Sequence, residues 1–251
     1  MASSAVQLLE TLLQHKKFAG TLVKSRETPR VVSSGFDELD QRIGGGWPMG
    51  AISEIVGPRS SGRTRVLLSA LMMATRQGQV VALVDALDRF DPRSAADAGL
   101  DLTRVLWIRG APVTVETARP TVIDHAIRQA VRACDLIIRA GGFAVVGLDL
   151  CDIPLRRLQA LPAVTWLRLA HANDGRDTVG LLGSDAPIGR SARGVSVQIA
   201  AQPCWTGASA QGRRLSGFTP AINPRWAGAM KVQRQRAPFN VAPAAVGEGG
   251  R

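Results

Sequence analysis

The chain has 251 residues, enough for one good-sized domain with appendages, and at 45% hydrophobic and 20% charged it has the balance of an ordinary globular protein. No apolar run is long enough to span a membrane, and the N-terminal apolar residues are interrupted by Gln, Glu and Lys, which excludes a signal peptide and predicts a cytoplasmic protein. The net charge of +11 favours anionic partners over basic ones.

Residues 3–17 have a helical stripe, Val6, Leu8, Leu9, Leu12 and Leu13, with Lys16 and Lys17 in the C-terminal turn. Phe18-Ala19-Gly20 ends that helix, residues 21–24 suit a lone strand, and residues 25–30 are a polar linker. A short apolar helix on a tether must dock, either on its own core or on a neighbouring subunit, which would give a homo-oligomer. The pattern leaves both open.

From residue 31 onward strands and helices alternate. A helix starts near Phe36, and residues 44–50 form a glycine-rich turn. Strands are expected at 51–56, 80–85, 105–108, 143–149, 164–170 and 195–200. Helices are expected at 65–74, 93–98, 121–140 and 155–161. Continuous apolar strands alternating with helices predict an α/β fold whose mostly parallel central sheet is covered on both faces. The domain reading is an N-terminal helix and linker at 1–30, a core at 31–237 and an Ala/Pro/Gly-rich disordered tail at 238–251.

After residue 186 nine residues are basic and only Glu248 is acidic. Such a segment is the electrostatic footprint of a surface for single-stranded DNA or for an acidic protein, with Arg190, Arg193, Arg213, Arg214, Lys231, Arg234 and Arg236 as the DNA-binding candidates. The competing reading is a solvated arginine-rich face. Cys134, Cys151 and Cys204 are widely spaced, and His15, His125 and His171 complete no metal-ligand pattern with them.

Between the strand at 51–56 and the helix at 65–74 stands Gly57-Pro58-Arg59-Ser60-Ser61-Gly62-Arg63-Thr64. It has the spacing of the phosphate-binding loop G-x-x-x-x-G-K-[ST], with arginine in the lysine position. Glycines let backbone N–H groups turn towards phosphate oxygens, and the following helix points its positive end at the same anion. Thr64 is the residue type that holds Mg²⁺. Asp149, at the tip of a hydrophobic strand, is the second metal-ligand candidate, or else the cap of the next turn. The spacing therefore points to ATP with Mg²⁺.

Several segments together resemble the RecA recombinase family. They are Phe18-Ala19-Gly20-Thr21-Leu22-Val23, Ser34-Gly35-Phe36-Asp37-Glu38-Leu39-Asp40, Gly45-Gly46-Trp47-Pro48-Met49-Gly50, the loop itself with Glu54-Ile55-Val56 before it, Val84-Asp85-Ala86 and Asp91-Pro92. The resemblance runs from about residue 5 to about residue 150, and more weakly to about 200. It implies a parallel-sheet ATPase core that assembles on single-stranded DNA, with the N-terminal helix packing on the adjacent subunit.

The departures from that pattern matter as much. The loop lysine is Arg63, the position of the family's catalytic glutamate is Leu87, and the adenine-stacking aromatic falls near Ser94. Only one short helix is expected between Asp149 and residue 164, so the first DNA-binding loop and its following helix are expected to be missing. A short second DNA loop is expected at 175–189, and the family's C-terminal domain is expected to be absent.

Loss of a general base alone removes about 10²–10⁴-fold in rate, so weak nucleotide binding without hydrolysis and no catalytic residue is the expectation. Ile43-Gly44-Gly45-Gly46-Trp47-Pro48 and Gly99-Leu100-Asp101-Leu102-Thr103-Arg104-Val105-Leu106-Trp107 resemble ImuA, the accessory family of the bacterial translesion mutagenesis cassette. That resemblance implies a damage-induced (SOS) interaction protein whose partners are translesion polymerase-like proteins and RecA. The alternative is a DNA-dependent ATPase in which Arg63 and Asp85 or Asp88 suffice.

Overall fold

The computed structural model describes residues 30–206 and 214–226. The expected helix at 3–17, the strand at 21–24 and the tail at 238–251 lie outside the described residues, as do Arg213, Lys231, Arg234 and Arg236.

A small antiparallel pair, β1 (Val31–Val32) with β2 (Trp47–Pro48), brackets helix α1 (Asp37–Arg42). Asp40 stitches the entry to this helix, because its carboxylate accepts the Ser34 N–H at 2.8 Å and the Ser33 hydroxyl at 2.6 Å.

The main chain of elements is β3 (Ala51–Val56), α2 (Arg63–Arg76), β4 (Val81–Asp85), α3 (Pro92–Asp97), β5 (Val105–Arg109), α4 (Pro120–Ala140), β6 (Val145–Asp149), α5 (Leu155–Gln159), α6 (Ala163–Asn173), β7 (Val179–Ser184), β8 (Val195–Thr206) and β9 (Arg214–Trp226). Seven strands form one sheet in the order β5-β4-β6-β7-β3-β8-β9. All pairings are parallel except β8 with β9.

The expected architecture is present. The strand pleat splits the core into two layers. Val81 and Leu83 of β4 pack with Val66, Leu67 and Ala70 of α2 on one face. Ala82 and Val84 pack with Ile123, Ile127 and Val131 of α4 on the other. Each such buried aliphatic contributes about 1.5–3 kcal/mol relative to exposure. Local signals set the helix starts: Asp91 accepts the N–H groups of Arg93 and Ser94 to open α3, and prolines occupy the first turns of α3 and α4.

Two expectations are corrected. Residues 164–170 are not a strand but the body of α6, whose Leu169 and Ala172 face the core at helical spacing. Two helices rather than one therefore fill the connection from β6. The segment 175–189 is not simply a loop either. It contains β7, buried along its whole length and central in the sheet.

Candidate nucleotide site

β3 delivers the chain to Gly57 at the carboxyl end of the sheet, and α2 departs from Gly62. Both glycines are required by geometry. A Cβ on Gly57 would lie 2.5 Å from both the Ile199 carbonyl oxygen and Ser61 Oγ, and Gly62 has a φ of +93°. No side chain caps α2, so the backbone around its first turn keeps the form of an anion cradle. Ser61 Oγ inside the loop is buried without a hydrogen-bond partner.

Arg63 does not reach outwards from this cradle. Its side chain is 5% exposed and folds under the loop. One terminal nitrogen donates to the Gly57 carbonyl and stands 2.6 Å from Asp185 Oδ1. The other donates to Asp152 Oδ1 at 2.5 Å. Asp152 also accepts from Arg89 and lies 3.9 Å from Arg59 Nε. Its own backbone N–H donates to Asp185 Oδ1 at 2.8 Å, which ties the Asp185 carboxylate to the Asp152 backbone. Asp152 follows β6 and Asp185 follows β7. Adjacent pairing of those strands is what brings the two acids to the loop.

The remaining predicted residues divide. Arg59, Ser60, Gly62, Arg63, Thr64 and Asp149 line one open cleft of about 910 Å³. Thr64 is exposed in the first turn of α2. Asp149 ends β6 opposite Asp85 of β4. Burial pushes the Asp149 carboxyl above the ordinary range and Asp85 adds to this, while the Cys151 N–H at 2.9 Å and Arg63 pull it back. Among the described residues no group of three or more His, Cys, Asp or Glu forms a metal cluster.

Leu87 is 4% exposed and belongs to the apolar core. Of the carboxylates near it, Asp85 is buried and accepts the Phe90 N–H at 2.8 Å, and Asp88 is held by Arg109 through two contacts of 2.9 Å. Ser94 donates its hydroxyl to Asp91. The aromatics that line the cleft are Phe36 and Phe90, the latter edge-on to Trp107 at 5.2 Å.

Sequence reasoning missed Asp152, Asp185, Arg89 and Phe90. The cluster Asp149-Leu150-Cys151-Asp152 was the one available signal. The backbone of the cradle fits a phosphate. Arg63 is committed to two carboxylates that would face the anion, which weakens the hold on a triphosphate.

Of the DNA-binding candidates with described side chains, Arg193 pairs with Asp174, and Arg190 donates to the Gly194 carbonyl at 3.4 Å and faces buried Glu54. Arg214 begins β9. No helix among the described residues is long and apolar enough to cross a membrane.

A family model for the RecA N-terminal domain matches residues 10–149, more than half of the chain. The RecA protein of Nostoc punctiforme is 40% identical over 114 residues, covering 45% of this chain and 30% of that protein. That of Borrelia hermsii is 33% identical over 151 residues, covering 58% and 38%, and that of Trichodesmium erythraeum is 37% identical over 123 residues, covering 47% and 33%. The match thus spans about a third of each relative's length. The chain belongs to the RecA N-terminal domain family.

Proposed function

We propose that the chain is a catalytically degenerate RecA paralogue that acts by binding other proteins in damage-induced translesion synthesis, in the manner of the ImuA family. Its partners in this reading are translesion polymerase-like proteins and RecA itself. Single-stranded DNA is held weakly through the basic segment after residue 186, and ATP is held weakly without turnover.

The observation that carries the reading is the buried Arg63 guanidinium, which meets the cleft already paired with Asp152 and Asp185. Phosphoryl transfer needs that cation on the β/γ-oxygens and a second group that positions the attacking water. Leu87 supplies no such group, and Asp85 and Asp88 are engaged elsewhere. The same engagement argues against an active DNA-dependent ATPase. ATP turnover measured with and without single-stranded DNA tests the proposal. Turnover at background supports it, and DNA-stimulated hydrolysis abolished by Thr64→Ala overturns it.

A further inference from the structure

The three most exposed large apolar side chains among the described residues all sit on two helices that pack against each other. They are Leu136 of α4 at 57%, and Val164 and Leu167 of α6 at 55% and 57%. Both helices already bury a full face. α4 commits Ile123, Ile127, Val131 and Ile138 to the core, and α6 commits Leu169 and Ala172. These three residues are therefore surplus to the fold.

Between the two helices runs a groove of about 440 Å³. Val131, Leu136, Leu161 and Leu169 give it an apolar lining, Leu136 being the one of the three exposed residues that lines it, and Arg128, Arg132 and Arg168 stand along it. Arg128, Arg132 and Leu136 follow one another at i, i+4 and i+8, so they form one stripe on α4. None of the three arginines makes an ion pair with another described residue. The single acid in the lining, Asp135, is paired with Arg139 at 2.9 Å, and its Oδ1 is buried without a donor. The groove thus combines apolar anchor sites, uncompensated positive charge and one waiting acceptor.

That combination selects its occupant. The chain's own segments outside the described residues each carry net positive charge: Lys16, Lys17, Lys24 and Arg26 against Glu10 and Glu27 in 1–29, Arg213 in 207–213, and Lys231, Arg234, Arg236 and Arg251 against Glu248 in 227–251. Each would bring net like charge to the arginines, and so would the same face of a second copy. Nucleic acid would satisfy the arginines but leave Leu136 and Leu161 against phosphate. We infer that the α4–α6 groove docks an acidic amphipathic helix of another protein, with apolar residues at i, i+3, i+4 and i+7 in the groove and carboxylates on the arginines. The inference deepens the interaction reading above and rests on it for biological sense. Its test is separate, because it reads peptide binding and not ATP turnover.

The probe is a labelled amphipathic peptide with leucines at those four spacings and glutamates flanking them, titrated into the full chain and followed by anisotropy. Controls are the same peptide with lysines for glutamates, and an oligodeoxythymidylate. The acidic peptide is expected to bind, with affinity falling as salt rises. Leu136→Ser is expected to weaken it at least tenfold, and so is Arg128→Gln with Arg132→Gln and Arg168→Gln, each at an unchanged melting temperature. The lysine peptide is expected not to bind. The inference is overturned if the acidic peptide fails to bind or binds both variants as it binds the parent. It is also overturned if the oligonucleotide displaces the peptide and depends on the arginines alone, which would make the groove a nucleic-acid surface.

Discussion

Arg63 Nη2 stands 2.5 Å from Asp152 Oδ1, so the residue in the phosphate-binding position of the loop is neutralised from within the chain. Asp152 gathers Arg63, Arg89 and Arg59 much as a phosphate would. A carboxylate in this place competes with a nucleotide in two ways: it occupies the cation and it repels the incoming anion. At an effective dielectric typical of a partly buried site, two charges 4 Å apart interact by about 4 kcal/mol, enough to decide binding.

Asp152→Asn should therefore raise ATP affinity by about tenfold or more, since it removes the repulsion and frees one side of Arg63. The same change should lower stability by about 1–3 kcal/mol, because the hydrogen bond to a buried guanidinium loses its compensating charge. Titration calorimetry and thermal melts of one variant read both effects. An unchanged affinity would mean that Asp152 does not guard the loop.

Restoring the loop lysine should not restore chemistry. Arg63→Lys should leave turnover at background, because Leu87 remains apolar and buried and the general-base contribution of about 10²–10⁴-fold is still missing. A DNA-stimulated steady-state rate in the single lysine variant would contradict this.

Asp149 predicts a pH effect. Its carboxyl is raised in the folded chain, chiefly by burial and further by Asp85. Between the ordinary aspartate range and that raised value the folded state holds a proton that the unfolded state has lost, so stability declines as pH rises through the window. Asp149→Asn carries no titrating group and should escape this decline. The melting temperature of the variant should gain on the parent from acid to neutral pH. A difference that stays constant across that range would show that the shift is absent.

DNA binding should not depend on Arg190 or Arg193, whose guanidinium groups are engaged with Gly194 and Asp174. Charge reversal at Arg213, Arg214, Lys231, Arg234 and Arg236 should instead weaken binding, lowering the slope of log affinity against log salt by about one per lost phosphate contact. Equal loss from the Arg190 and Arg193 pair would reverse this assignment.

The central strands and the loop were legible because their signals are local: continuous apolar runs for β3, β4 and β6, and fixed glycine spacing for the cradle. β7 was hidden by its glycines. Gly180 and Gly183 read as loop residues, yet a Cβ on Gly180 would lie 2.3 Å from Ile52 Cδ1 and one on Gly183 3.2 Å from Cys151 Sγ. Close packing, not chain reversal, selects glycine there. α6 was hidden by Val164, Thr165 and Trp166, types that favour strands, while tertiary contacts at Leu169 and Ala172 made it a helix. β9 contains Pro220 and Pro224, which suit only a sheet edge, and that is where it lies. Asp152 and Asp185 were out of reach of any local pattern. They are 33 residues apart, and their meeting depends on β6 and β7 being neighbours.

The account is tested most directly by the ATP turnover of the unmodified chain with saturating single-stranded DNA and Mg²⁺. It predicts a rate indistinguishable from a Thr64→Ala control. Steady DNA-dependent hydrolysis that disappears in Thr64→Ala and in Asp149→Ala would contradict it, because it would require Arg63 to leave Asp152 and serve the nucleotide.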